Sequence, residues 1–194
     1  MSRQTSPVTK GSRLRIDAAS GLLVGSRQVP SPNCDARPDP DDITLLVIHN
    51  ISLPPGKFGG PWIDRLFANQ LDPTAHPYFD TLKTLSVSAH LCIFRGGAVT
   101  QYVPFGQRAW HAGISRHQGR ERCNDFSIGI ELEGTDTQPF TSRQYARLAS
   151  VTRLLLRAYP KITAGRIVGH SDIAPGRKTD PGPHFDWQRF KADL

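Results

Sequence analysis

The sequence predicts an α/β (α+β) fold, a single domain with a central mixed β-sheet flanked by helices. Residues 43–48 form an almost continuous apolar, β-branched run, which is typical of a central strand covered on both faces. Residues 141–159 carry an apolar stripe at helical spacing. Strand-like runs at 87–94 and 98–103 are joined by Gly96-Gly97, which predicts a hairpin with a tight two-residue turn. Strands mixed with a few helices favour one layer of sheet with helices on its faces.

The elements of the N-terminal half follow from local patterns. Residues 1–16 are polar and basic and are predicted to form a disordered extension, so the domain spans 17–194. A short strand is predicted at 22–24. Pro61 is expected at the first position of a short helix. Residues 107–125 show no period and are predicted to be a long loop, of the kind that is commonly functional.

The C-terminal half has clearer signals. Residues 126–134 alternate, with isoleucines and a leucine on one face and small residues and glutamates on the other. Thr141 and Gln144 match a capping box at the start of the long helix. A short strand at 166–168 precedes residues 169–183, which are rich in Pro and Gly and are predicted to be a loop without helix. A final short helix is expected after Asp186.

Composition limits the function classes. The formal net charge is +7, but the basic residues are scattered and no nucleic-acid-binding motif accompanies them, so a carboxylate-bearing small substrate is favoured over nucleic acid. The three cysteines are widely spaced, which argues against a disulfide framework and a Cys-based zinc site. No apolar run approaches membrane-spanning length and no signal peptide is visible. We therefore expect a cytoplasmic monomer that binds no membrane.

Two histidines follow strand-like runs and predict a metal site. His49 and His170 each stand at the C-terminal end of such a run, so parallel neighbouring strands would bring the two imidazoles to one edge of the sheet. Asp180 would complete a three-ligand set that suits Zn²⁺ and leaves its fourth position open, as in catalytic sites. From spacing alone, a hydrogen-bonded structural role for each histidine remains the alternative.

Six motifs carry a resemblance that is more specific than this spacing. The motifs lie at residues 46–52, 58–62, 87–90, 108–113, 127–134 and 169–183. With these motifs the chain resembles the AmpD-type family of cytoplasmic N-acetyl-anhydromuramyl-L-alanine amidases, which are related to T7-type lysozyme amidases and peptidoglycan recognition proteins. The resemblance runs from about residue 21 to the C-terminus.

The resemblance implies a role for each polar residue of the site. His49, His170 and Asp180 would hold one Zn²⁺ per chain, Glu131 would be the catalytic acid/base, and Lys178 would stabilise the oxyanion. Amide hydrolysis needs these functions, since water must be activated, its proton must be accepted and returned, and the charge of the tetrahedral intermediate must be opposed.

Alternatives remain at several of these positions. Glu133 points the same way as Glu131 and could be the base instead, although the resemblance favours Glu131. Lys178 could be merely solvated. His90 and His111 could be metal ligands, but neither is followed by a ligand-rich loop, so roles outside the ligand set are favoured for them.

Substrate contacts are predicted from the chemistry of an anhydromuramyl peptide, which offers an apolar-faced sugar, amides and carboxylates. The predicted substrate-binding residues are Asn50, Trp110, His111 and Arg122, with Arg108 and Arg116 as weaker candidates. Ser86 departs from the family pattern, in which a basic residue is common at this position. A neighbouring Arg is expected to replace that contact.

Three functions compete at this point. The first is hydrolysis of the amide between N-acetyl-1,6-anhydromuramic acid and L-alanine in cell-wall recycling, with indirect control of β-lactamase induction. The second is an amidase acting on intact peptidoglycan. The third is a non-catalytic peptidoglycan-binding module, which the combined presence of the ligand set, Glu131 and Lys178 argues against.

Overall fold

A computed structural model describes residues 13–194, so most of the predicted N-terminal extension lies outside the described residues. The end of that prediction needs correction. Leu14 is buried in the main core, Ile16 packs against that core, and Arg15–Ile16 pairs as a strand with Leu23–Val24. Because two of these three residues are apolar and lie against the core, residues 14–16 belong to the fold.

The structure contains twelve strands and five α-helices among the described residues. The strands are β1 Arg15–Ile16, β2 Leu23–Val24, β3 Arg27–Gln28, β4 Cys34–Ala36, β5 Leu45–Ile51, β6 Leu91–Ile93, β7 Val99–Gln101, β8 Gln107–Ala109, β9 Arg116–His117, β10 Arg120–Glu121, β11 Ser127–Glu133 and β12 Ile167–Gly169. The helices are α1 Trp62–Phe67, α2 Pro77–Asp80, α3 Ser142–Ala158, α4 His170–Ile173 and α5 Trp187–Ala192.

Six of these strands form the central sheet, in the order β12-β5-β11-β6-β7-β3. The four neighbouring strands β12, β5, β11 and β6 run parallel, and β7 and β3 also pair in parallel. Only the β6–β7 hairpin of this sheet is antiparallel. The predicted mixed sheet flanked by helices is therefore confirmed. The apolar run at 43–48 lies in β5, between two parallel neighbours, as its two-sided burial requires.

Each face of the sheet has its own core. On one face, Ile128, Ile130 and Leu132 of β11 pack with the apolar stripe of α3 and with Phe190 of α5. On the opposite face, a cluster around α1 and α2 covers β6 and β7, and a smaller cluster covers the start of β5. The two clusters on this second face are separate, and polar residues of β5 and β11 lie between them.

The register of β5 and β11 brings their polar residues together. His49 lies directly opposite Glu131 in this parallel pair. Gly169 of β12 lies opposite Ile48, so His170, the next residue, begins beside His49. The predicted meeting of the two histidines at neighbouring parallel strands is confirmed.

Helix boundaries agree closely with the predictions where caps are present. Thr141 caps α3, and the capping box with Gln144 is formed in both directions. Asp186 caps α5 by accepting a hydrogen bond from the N–H of Arg189 at 2.9 Å. Pro61 is the N-cap of α1 rather than its first residue, a shift of one position.

Two local predictions, the hairpin turn and the long loop, were wrong. The hairpin has a three-residue loop, because the Phe94 N–H donates to the Ala98 carbonyl and only Gly97 adopts a positive φ, of 84°. The segment 107–125 is not an unstructured loop, since it contains β8, β9 and β10. Its strand β8 pairs with β4, which lies some 73 residues earlier, so no local period reveals it.

The segment 169–183 also differs from the prediction at its start. Residues His170–Ile173 form one helical turn, α4, which begins where the Asp172 carboxylate accepts a hydrogen bond from the Gly169 N–H at 2.7 Å. The prolines and the later glycines all follow this turn, so they do not oppose it.

None of the helices in residues 13–194 combines the length and the apolar character needed to cross a bilayer.

Candidate active site

Three side chains from separate segments meet on the face between the two smaller cores, and we call them the His–His–Asp cluster. His49 ends the buried part of β5, His170 begins α4, and Asp180 follows in the Pro/Gly-rich loop. The Nδ1 atoms of the two histidines are 3.0 Å apart, and the Asp180 Oδ2 atom lies 3.0 Å from His49 Nδ1 and 3.1 Å from His170 Nδ1. The loop is held to α4 because the Ser171 N–H donates to the Asp180 carbonyl at 2.9 Å.

The second nitrogen of each histidine has its own acceptor. His170 Nε2 lies 3.1 Å from the Ala112 carbonyl, which can only accept, so the His170 proton sits on Nε2 and Nδ1 offers a lone pair. His49 Nε2 lies 2.9 Å from His111 Nδ1. Burial lowers the pKa of His49 to about 4, so this imidazole is neutral at pH 7.

The donor set of this cluster fits a small divalent cation. Burial opposes ionisation of Asp180, but the imidazoles of His170 and His49 beside its carboxylate more than offset this and lower its pKa, which leaves the carboxylate charged at neutral pH. Two imidazole nitrogens and one carboxylate oxygen then converge with separations near 3 Å. A tetrahedral ion with ligand distances of about 2.0 Å needs separations of roughly 3.3 Å, close to those observed.

The structure separates the two glutamates of β11. Glu133 is buried and its carboxylate accepts hydrogen bonds from the backbone N–H groups of Gly59, at 2.5 Å, and Arg95, at 3.0 Å. Glu131 lines the cavity next to the cluster, and its buried Oε2 atom has no hydrogen-bond partner among residues 13–194. Burial, with the nearby Asp180 charge, raises the pKa of Glu131 well above its usual value. A perturbed, unpartnered carboxylate in a cleft has the features of a catalytic group, whereas Glu133 has a structural role.

The cluster opens into a cavity of about 550 Å³. Lys178 and Trp110 line it, and the Lys178 charge acts on both His49 and Glu131. The wall away from the cluster is largely apolar and includes the exposed side chains of Tyr78 and Leu85. The cavity therefore combines charged groups at one end with apolar surface at the other, as is usual for small-molecule sites.

The other predicted substrate contacts are placed differently. His111 lines the cavity, but its ring nitrogens lie against His49 and against Ser127, so neither is free for a substrate. Arg122 is not among the described residues that line the cavity; its side chain is 71% exposed and pairs with Asp125 at 3.1 Å. Its contact with substrate stays a prediction, as does that of Trp110.

Ser86 lies where the main cavity meets a smaller one of about 290 Å³. Lys83 lines the smaller cavity and pairs with the Asp80 carboxylate at 3.2 Å, and Arg177 lines the main one. Arg108, a weaker candidate for substrate binding, is bound to the carboxylates of Asp35 and Asp125. Replacement of the missing contact by a neighbouring arginine stays a prediction.

Asn50 lines the cavity but is tied to protein groups. Its side-chain amide donates to the Asp136 carboxylate at 2.6 Å and to the Pro181 carbonyl at 3.1 Å, next to Asp180. We predict that Asn50→Ala lowers the free energy of unfolding by about 1–3 kcal/mol, because both acceptors lose a partner. Chemical denaturation of Asn50→Ala, Asp136→Ala and the double variant checks this. If the loss of unfolding free energy in the double variant equalled the sum of the losses in the two single variants, a direct coupling of the two side chains would be contradicted.

Sequence reasoning missed two residues that organise the site. Arg177 donates to the carbonyls of Ala112, at 2.7 Å, and Ile114, at 2.5 Å, and so fastens the segment after Trp110 to the loop that carries Lys178. Asn124 accepts from the N–H groups of His111 and Ala112 through its side-chain oxygen. Neither residue belongs to a periodic pattern, and the available signal was that Arg177 adjoins Lys178 and Asn124 lies two residues after Arg122.

With this geometry in place, the comparison with known proteins defines the class. The model of the N-acetylmuramoyl-L-alanine amidase family (Amidase_2) matches residues 39–183, which include all residues of the His–His–Asp cluster and Glu131. The chain belongs to the N-acetylmuramoyl-L-alanine amidase family.

Within this family the chain is similar to AmpD proteins. It is 65% identical over 172 residues to the 1,6-anhydro-N-acetylmuramyl-L-alanine amidase AmpD of Escherichia coli (strain K12), across 89% of this chain and 93% of that protein. The crystal structure of a selenomethionine AmpD derivative matches with a TM-score of 0.88 and 62% identity, across 90% of this chain and 97% of that one. A complex of the E. coli amidase AmiD with the substrate anhydro-N-acetylmuramic acid-L-Ala-D-γ-Glu-L-Lys matches with a TM-score of 0.59 and 29% identity, across 93% and 65% of the two chains.

Proposed function

We propose that this protein hydrolyses the amide bond between N-acetyl-1,6-anhydromuramic acid and L-alanine in anhydromuropeptides, with one Zn²⁺ held by His49, His170 and Asp180. The observation that carries the proposal is the convergence of three lone-pair donors beside an unpartnered carboxylate, in a chain 65% identical to an AmpD amidase. Action in the cytoplasm and control of β-lactamase induction through removal of the anhydromuropeptide belong to the same proposal.

The cluster is suited to a catalytic ion because it supplies three ligands and opens to the cavity. When bound, Zn²⁺ would supply Lewis-acid activation of water and of the amide carbonyl. Neutral histidines and an ionised Asp180 give the ligand set a single negative charge, which leaves a net positive site with the ion bound. A positive site favours the anionic character that develops when an amide is attacked.

Glu131 has the position and the environment for proton transfer. It lies opposite His49 in the β5–β11 pair, and no group in the described part of the chain donates a hydrogen bond to its Oε2 atom. In the proposed mechanism Glu131 takes a proton from the attacking water and delivers it to the nitrogen of L-alanine as the C–N bond breaks. Its raised pKa suits both halves of this task, because the protonated form must persist until the amine leaves.

Lys178 is proposed to oppose the negative charge on the carbonyl oxygen of the tetrahedral intermediate. We therefore expect Lys178→Met to lower kcat by about 10²- to 10³-fold with a smaller change in KM, as for loss of an oxyanion-hole donor. Steady-state kinetics on an anhydromuramyl tripeptide checks this, with Lys191→Met on α5 as the matched control. A change confined to KM would make Lys178 a substrate anchor instead.

The proposed reaction is tested by product analysis on two substrates. Purified protein is incubated with N-acetyl-anhydromuramyl-L-Ala-D-γ-Glu-L-Lys and with intact cell-wall sacculi, and products are identified by mass spectrometry. We expect release of the free anhydro sugar and of the peptide with an L-alanine amino terminus. Cleavage of sacculi at a comparable rate would favour the intact-peptidoglycan amidase. Binding without cleavage by zinc-loaded protein would favour the non-catalytic module.

A further inference from the structure

The ring of His111 lies over β11, on the face that carries Ser127, Gly129 and Glu131. Its Nδ1 atom is 2.9 Å from His49 Nε2, and its Nε2 atom is 3.1 Å from the Ser127 hydroxyl. The rings of His49 and His111 meet edge to face at an angle of 84° with centroids 5.0 Å apart. The backbone below the ring is fixed as well, since the His111 N–H donates to the Asn124 side chain at 3.1 Å.

The protons of this chain of contacts have one consistent arrangement. If His49 offers the Nδ1 lone pair to a metal, its proton must be on Nε2 and is donated to His111 Nδ1. The proton of His111 is then on Nε2 and is donated to the Ser127 oxygen. The opposite arrangement would place a proton on His49 Nδ1, within 3.0 Å of both other members of the cluster, and would exclude the ion.

Gly129 provides the space for this ring. A Cβ atom added at Gly129 would lie 2.5 Å from His111 Cγ, 2.6 Å from Nδ1 and 2.8 Å from Cδ2, and its three nearest neighbours are all atoms of that ring. The φ angle of Gly129 is not in the left-handed region, so the backbone itself does not require glycine. The absence of a side chain at this position therefore serves the position of His111.

We propose that His111 is a positioning residue, which fixes the proton tautomer and the orientation of His49, and that Gly129 and Ser127 hold it there. This inference rests on the proposed zinc site and concerns the residues that contact its histidine ligands rather than the ion. Ala112, the residue after His111, provides the carbonyl that accepts from His170 Nε2 at 3.1 Å. Two consecutive residues thus satisfy the outer nitrogens of both proposed histidine ligands, a role that typically contributes 10- to 100-fold in metal affinity.

The test compares zinc affinity in four variants, measured by competition with a chromophoric chelator. His111→Ala removes the acceptor, and we expect zinc binding about 10- to 100-fold weaker than in wild type. His111→Asn is the matched control, because its Oδ1 atom replaces Nδ1 as an acceptor while the ring is lost in both variants. We expect His111→Asn to recover most of the affinity, although both metal-free variants should melt at similar temperatures.

Gly129→Ala supplies an independent arm of the same test. In the wild-type background the added methyl group should displace the ring and weaken zinc binding, whereas in the His111→Ala background it should change affinity little. Equal zinc affinity in His111→Ala and wild type, or equal losses in the Ala and Asn variants, would overturn the inference while leaving the zinc site intact. Failure of wild-type protein to bind zinc would instead reject the proposed function.

Discussion

Glu131→Gln should reduce kcat by about 10²- to 10⁴-fold while zinc content stays at that of wild type. The amide keeps the size of the side chain but can no longer accept a proton, so the loss measures proton transfer rather than packing. Because Glu131 is not a member of the His–His–Asp cluster, metal binding should be unaffected. Metal analysis and single-turnover kinetics on the same protein sample test both halves of this expectation.

The matched control for this variant is Glu133→Gln, two residues along β11. Its carboxylate accepts from two backbone N–H groups, so one of them should face the new amide nitrogen and the protein should lose stability. Its kcat should nevertheless remain near that of wild type. A normal rate in Glu131→Gln together with an inactive Glu133→Gln would transfer the catalytic role to Glu133.

His170→Ala should abolish both zinc binding and hydrolysis. With one imidazole missing, the remaining pair of ligands holds the ion too weakly, and activation of water and carbonyl is lost together. Zinc at a thousandfold excess over its dissociation constant should increase the free energy of unfolding of wild type by about 4.1 kcal/mol and so raise its unfolding temperature. The unfolding temperature of the variant should not change.

The exposed His184, in the same C-terminal segment, provides the control for this experiment. His184→Ala should keep the zinc-dependent rise in melting temperature and the full rate. If His170→Ala kept stoichiometric zinc and turned over at the wild-type rate, the proposed ligand set would be wrong.

Local patterns predicted those parts of the fold whose partners are nearby or whose burial is complete. The long helix was predicted by its stripe and its Thr141–Gln144 box, and β5 by an apolar run that only a doubly covered strand needs. The meeting of His49 and His170 was predicted only for the case that their strands are parallel neighbours, a condition that the pairing of β5 with β12 fulfils.

The missed features depend on contacts between distant residues. Arg37 is buried and donates to the carbonyls of Phe105, Asn124 and Ser127, although its own segment is rich in proline and has no periodic pattern. His90 resembled a possible ligand, but its Nδ1 atom accepts from the Gly129 N–H at 3.0 Å and its Nε2 atom lies 3.0 Å from the Gln107 carbonyl. Such roles depend on which backbone groups the fold leaves unpaired nearby, and one-dimensional spacing does not contain that information.

The position of β5 between β11 and β12 has a consequence for synthesis on the ribosome. His49 and Asp180 are separated by 131 residues, and the strand that completes one side of β5 is among the last elements to be made. Until then the nascent chain exposes an apolar strand edge, which is a template for aggregation. Pairing over such a distance is also slow, because chain entropy is lost before the contact is gained. The His–His–Asp cluster can therefore assemble only at the end of folding, after translation has passed residue 180.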